Sequence, residues 1–262
     1  MNVIESFPSF LLIFARMSAF FVTLPLFSYR TIPSSHKIGF SFFLSLIVFT
    51  AVNPEPMELN GAFILLAVKE VMIGLFIGFS AYLMMAAVQI AGSLIDFQMG
   101  FAIANIIDPQ TGAQSPLIGQ FLNILVLLFI LSVNAHHLLL DGVFYSFQYI
   151  PLENAAFPFG GGNIANLITK SFSAMFLIAF QMSFPVVASL FLVDLALGIV
   201  ARTVPQLNIF VVGLPLKIGV SFIMLILVMG TMFILIQHVF ETMLYTMRGL
   251  MEIIGGAGNG IS

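Results

Sequence analysis

The chain contains no cysteine and no tryptophan, and only 7% of its 262 residues are charged. Without cysteine it forms no disulfide and offers no thiolate for redox or zinc chemistry, although that absence suits either face of a membrane. The shortage of charge is equally exclusive. Eight Lys and Arg against eleven Asp and Glu leave a net charge of −3 and no basic stripe to neutralise phosphates. Nucleic-acid binding therefore has no electrostatic basis. Also missing are a glycine-rich phosphate loop, a nucleophile elbow and an HExxH motif, so the sequence offers no catalytic, cofactor or metal chemistry. His136-His137 is not a metal pair, because neighbours on a helix point about 100° apart. Asn134-Ala135-His136-His137 reads instead as a helix end.

Apolar residues fill the space that charge leaves. At 60% hydrophobic, against roughly 45–50% in ordinary soluble domains, the chain is expected to be an all-α integral membrane protein. Six apolar runs stand out: Phe7–Phe27, Ile38–Val52, Gly61–Ala91, Leu117–Leu140, Ser171–Val193 and Ile209–Ile236. About 20 helical residues cross a bilayer, so the second run is short and the third and sixth are long, which points to paired, kinked or tilted helices. Residues Met1–Glu5 carry no basic leader and no small-residue cleavage site follows the first run, so that run is expected to stay as a membrane segment. With 30 Phe, five Tyr and no Trp, the aromatics suit interior packing better than interfacial anchoring. Lys and Arg are too evenly spread between alternate connections to fix an orientation.

The ends of the runs carry recognisable breakers. Ser34 or Ser35 is placed to cap the second helix, and Asn53-Pro54-Glu55-Pro56 to end it. Pro158 to Asn163 reads as a flexible turn and Gly255 to Gly260 as a disordered tail. Arg16, Lys69, Glu70 and Lys217 lie inside apolar runs, where a charge costs several kcal/mol. Only Glu70 could serve a proton relay deep in a run, so pairing or shielding by partner subunits is the expected explanation. On that ground, and because its apolar excess needs partner surfaces, an isolated copy is expected to be unstable. Gly74 and Gly78 form a small-xxx-small face that permits close helix approach.

Two polar constellations interrupt the apolar pattern. Gly92 to Pro116 is too polar to face lipid and too apolar to be an ordinary solvated loop. Such a connection survives at membrane depth only if protein buries it or it lines an aqueous cavity, which makes it a candidate gate. The second runs from Asp194 through Arg202 to Lys217. Pro205 should break a helix that begins near Asp194, and Pro215 should bend the last run.

Together these stretches resemble the FliR family of flagellar export-gate proteins, SctT in injectisomes. The resemblance rests on Gly92, Asp96, Gln98, Met99 and Gly100; on Asp108-Pro109 with Pro116; on Asn134 and His136; on Ser146-Phe147 with Pro151. It rests above all on Arg202, Pro205, Gln206, Asn208, Phe210, Gly213 and Pro215. The family often reads Asn-Gly-His where this chain has Asn134-Ala135-His136, so that helix end is expected to be less sharply broken. The resemblance implies one copy joined to five FliP-like and four FliQ-like subunits in a helical hetero-oligomeric gate. It implies contact with an FlhB-like switch protein, with membrane lipid and with unfolded export substrates, within the flagellar basal body of the bacterial cytoplasmic membrane. It implies a FliP-like half, 1–170, and a FliQ-like half, 171–262, and a pore plug formed by Asn105, Ile106, Ile107, Asp108, Pro109, Gly112 and Pro116. Arg202 to Pro215 is expected to be structural. A secondary transporter for a small solute is the other reading that broken helices would suit; few buried carboxylates and no repeated half speak against it.

Overall fold

The structure, a computed structural model, describes residues 3–25, 27, 32–57, 59, 61–101, 116–153, 162–206 and 208–255. Among the described residues there are seven helices and no strand: α1 Val3–Thr23, α2 Ser34–Val52, α3 Gly61–Met99, α4 Leu117–Ser132, α5 Ala135–Tyr149, α6 Gly162–Thr203 and α7 Ile209–Ile254. Five of these, α1, α2, α3, α6 and α7, are long and apolar enough to cross a membrane, and α4 with α5 would make a sixth, broken span. The all-α membrane class expected from composition is therefore the class observed.

Several boundaries differ from those the apolar runs suggest. Helix α3 does not stop at Ala91 but continues through Gly92, Asp96 and Gln98 to Met99, so the first eight residues of the candidate gate are helical and not a connection. Polar side chains interrupt hydropathy without interrupting a helix when their atoms find partners, as Asp96 Oδ2 and Gln98 Nε2 do. The fourth run splits at Val133-Asn134, where Asn134 takes a left-handed φ of 54°. The break is thus made by Asn itself and does not need the glycine that Ala135 replaces. Helix α6 spans Asp194 without a new start and ends at Thr203, just ahead of Pro205. Helix α7 runs unbroken past Pro215 and beyond the apolar run to Ile254. At the start of α2 the N-cap position is Pro33, with no side-chain cap bond, so neither Ser34 nor Ser35 caps that helix. Asn53, left-handed at φ 45°, ends it as expected.

Contacts divide the chain into two compact units. The first comprises Met1–Met84, Ile130–Phe172 and Glu241–Ser262. Its core holds Leu12, Ile13, Met17, Phe20 and Phe21 of α1 with Ile73, Ile77 and Met84 of α3. Each such side chain contributes roughly 1.5–3 kcal/mol by leaving water. The Gly74–Gly78 face meets α1: a Cβ on Gly74 would overlap the Arg16 carbonyl and Ala19, and one on Gly78 would overlap Thr23 and the Phe20 carbonyl. Helix α2 lies on α1 through Ser41, Ser45 and Val48, and both serine hydroxyls donate back to carbonyls one turn earlier. Edge-to-face pairs such as Phe10–Phe42 and Phe10–Phe49 join these two helices, while Phe43 on α2 stays 67% exposed. The abundant Phe thus serves both interior packing and the outer surface.

The second unit comprises Met85–Phe129 and Ser173–Phe240, with Val88, Ile95, Met99, Leu122, Val126, Met182, Val186, Leu190 and Met232 buried. At about 1.5 Å per residue, the 46 residues of α7 extend roughly 70 Å, against about 30 Å of hydrocarbon.

Replacing Gly74 by Val is expected to force α1 and α3 apart at a cost of roughly 1–3 kcal/mol. The measurement is accumulation of the protein in membranes by immunoblot. Gly39, which has nothing within 4 Å, is the control: Gly39→Ala should leave accumulation unchanged.

Candidate functional site

In the first unit the charges found inside apolar runs converge. Arg16 projects from α1 and Glu70 from α3, both fully buried, and the Arg16 Nε donates to Glu70 Oε2. Lys69 Nζ lies 2.9 Å from Glu70 Oε1. Two cations face one carboxylate, and the remaining demand is met by the end of α5. The Arg16 guanidinium donates to Ser146 Oγ at 3.1 Å and to the Ile150 carbonyl at 2.8 Å, and it stacks over the Phe147 ring at 4.1 Å. Lys69 donates to the carbonyls of Pro151 at 3.1 Å and Leu152 at 3.0 Å. Cations beside a helix C-terminus are favoured by the partial negative charge of its unsatisfied carbonyls.

These contacts correct one expectation and explain a motif. Arg16, Lys69 and Glu70 do not wait for partner subunits; the chain itself satisfies them. Ser146, Phe147 and Pro151 form the wall of the Arg16–Lys69 site. The carbonyls of Ile150 and Leu152 were not foreseeable, because any residue type supplies a carbonyl. Asn134 and His136 lie at the start of α5, with Asn134 acting through its backbone and not through a side-chain cap. The ring centroids of His136 and His137 lie 4.2 Å apart with the planes tilted by 36°.

In the second unit the two polar constellations, separated by about a hundred residues of sequence, come together. Gln98 Nε2 donates to Asp194 Oδ2 at 3.0 Å, and the other Asp194 oxygen pairs with Lys217. A cavity of about 450 Å³ beside this pair is lined by Met99, Gly100, Leu197, Gly198, Phe210, Gly213 and Leu214 among others. Gly100 has φ +91°, a conformation that calls for glycine; a Cβ there would meet only the end of the Leu214 side chain. Asp96, 3% exposed, accepts the N–H of Ile118 at 3.0 Å. Gly92 crosses α4 at Gly119 so closely that a Cβ would overlap backbone.

The turn between α6 and α7 is held locally. Asn208 Oδ1 accepts the N–H groups of Phe210 and Val211 at 3.1 and 3.4 Å, which is an N-cap for α7. Arg202 lies in the last turn of α6, and Pro205 and Gln206 form the exposed turn. Pro215 lies within α7, two residues before the paired Lys217. Of the plug residues, Asn105, Ile106, Ile107, Asp108, Pro109 and Gly112 lie outside the described residues. Pro116 immediately precedes α4, and its carbonyl accepts the N–H of Gln120.

Glu70→Ala leaves two buried cations without their carboxylate, a loss of roughly 3–5 kcal/mol. It is expected to abolish accumulation of the protein, whereas Lys217→Ala, at a partly exposed pair, should cost about 1 kcal/mol or less. Accumulation in membranes by immunoblot, with the gate partners co-expressed, checks the order.

A family model described as bacterial export proteins, family 1, matches residues 7–243. The flagellar biosynthetic protein FliR of Bacillus subtilis strain 168 is 63% identical over 255 residues, covering 97% of this chain and 98% of that protein. FliR of Escherichia coli K12 is 29% identical over 227 residues, 86% of each chain. The Yop proteins translocation protein T of Yersinia pestis is 29% identical over 249 residues, 94% of each. Matched by the family model over most of its length, and by a FliR protein from end to end, the chain belongs to the bacterial export proteins of family 1 and, within them, to the FliR proteins.

Proposed function

We propose that this chain is a non-enzymatic subunit of the flagellar type III export gate, helping to form and seal the channel through which unfolded flagellar proteins leave the cell. The observation that carries this reading is the match to a flagellar biosynthetic protein at 63% identity over nearly the whole of both chains. The Yop proteins translocation protein T, at 29%, is more distant than that 63% match, and it is the 63% match that favours the flagellum. The site lies in the bacterial cytoplasmic membrane, at the basal body.

The geometry supports a structural part. Arg16, Lys69, Glu70, Asp194 and Lys217 are engaged with one another or with backbone carbonyls, where a small-solute transporter would hold ionisable groups open to its path. Long stretches of α6 and α7 are apolar, yet in the apolar 18-residue window of each only 11% and 17% of the residues are buried by this chain. FliP-like and FliQ-like subunits, five and four to one copy, are the proposed cover, with an FlhB-like protein alongside. The proposed division near residue 170 describes order along the chain: it falls inside α6, so the second half is essentially the α6–α7 pair.

Within this reading Asn105 to Pro116 is the plug. Its two ends are set by Gly100, whose φ is +91°, and by Pro116 at the start of α4. Ile106 and Ile107 supply an apolar seal, since a dry constriction excludes water and ions when closed.

Expressed alone, the chain is expected to aggregate or be degraded because of its uncovered apolar faces, and co-expression of its gate partners should rescue it. A monodisperse monomer by size-exclusion chromatography in mild detergent would count against the gate assignment. Deleting residues 111–115, or replacing Ile106 and Ile107 by Gly, should leave assembly intact while making cells leaky to small ions, read as dissipated membrane potential. An assembled but tight mutant would remove the plug.

A further inference from the structure

Helix α4 begins without a local cap. The first N–H groups of a helix have no intrahelical partner, and the usual remedy is an Asp, Asn, Ser or Thr at the N-cap. Here that place is held by Pro116, which follows from its carbonyl accepting the Gln120 N–H at 2.9 Å; its side chain offers no acceptor. The need is met from another helix. Asp96 Oδ2 on α3 accepts the N–H of Ile118 at 3.0 Å, with the Gly119 N–H beside the same carboxylate. These are the second and third residues of α4, the two amides that a local cap would bind.

Such a reach requires the two backbones to lie almost in contact. Gly92 is one helical turn before Asp96 on the same face, and a Cβ on it would overlap the Gly119 Cα and N. The spacing Gly92-x-x-x-Asp96 is therefore one device: the glycine admits α4, and the carboxylate one turn later caps it.

We infer that Asp96 is a positioning residue for export, supplying from α3 the N-cap that α4 lacks and so fixing where α4 begins. It acts through a hydrogen-bonding oxygen and not through its charge, and it acts on α4 and not on the exported chain. Asn keeps that oxygen, ranks with Asp as an N-cap and carries no charge, so Asp96→Asn separates the two roles. The consequence for export rests on the proposed function; the cap itself does not.

The test uses a strain lacking the gene, complemented with wild type, Asp96→Asn, Asp96→Ala or Asp96→Ala with Pro116→Asp, the last restoring a local cap. Three quantities are read: secretion of a flagellar protein, recovery of the gate complex, and amide exchange in residues 117–122 of the purified complex. Asp96→Asn should secrete within about twofold of wild type, while Asp96→Ala should raise first-turn exchange about fivefold, the size of one lost cap, and depress secretion. The double variant, which alters Pro116 of the proposed plug, is read by exchange alone and should bring first-turn protection back toward wild type. Loss of secretion in Asp96→Asn with first-turn protection intact would overturn the inference in favour of a role for the charge. Unchanged exchange in Asp96→Ala would overturn it directly. Should Asp96→Ala fail to assemble, Asp96→Asn decides: assembled and secreting supports the cap, lost alike refutes it. Failure of the wild-type gene to restore secretion would count against the export reading alone, since exchange reports the cap independently.

Discussion

The pairing of Arg16 with Glu70 constrains the first unit more than any other interaction. Removing an ion from water costs several kcal/mol even after relaxation, and only close geometry with further hydrogen bonds offsets it. Two fully buried charges on α1 and α3 therefore demand that those helices keep one register, and the register demands Gly74, against whose face the Arg16 carbonyl presses. The surplus positive charge then demands acceptors, and these are the Ser146 hydroxyl and the carbonyls that follow α5. Three helices are thus fixed by one electrostatic requirement. The second unit uses a lighter version: Asp194 and Lys217 are partly exposed, and position is set chiefly by contacts between glycines and by caps.

Class and motif were readable from composition and local order, because a chain this poor in charge has few places to put polar atoms. The apolar runs placed six segments, and Pro205 marked the end of α6 because its ring cannot continue a helix. The extents were not readable. Hydropathy broke α3 at Gly92 and α6 at Asp194, since a one-dimensional pattern cannot tell that Ile118 waits opposite Asp96 or that Gln98 and Lys217 flank Asp194. Arg16 and Glu70 were visible as misplaced charges, and their opposite signs were the available clue that they satisfy each other. Gln98 and Lys217 belong to separate constellations in the sequence and share the Asp194 carboxylate in space.

The two polar stretches bracket a segment that the proposed function makes central. Its entry is turned by Gly100 in the left-handed region, and its exit is pinned where α4 starts. Each end is anchored by groups that do not belong to the segment itself.

Three consecutive inward carbonyls, of Ile150, Pro151 and Leu152, receive Arg16 and Lys69. An acceptor made of main chain is indifferent to which side chain is attached. Substitution at positions 150 and 152 therefore leaves the electrostatics intact so long as the turn holds, while the donors tolerate no exchange. The cations are thus held by their charge, whereas Ile150 and Leu152 answer to the packing of their buried side chains, so the types of the gripped residues carry no electrostatic signature of the contact.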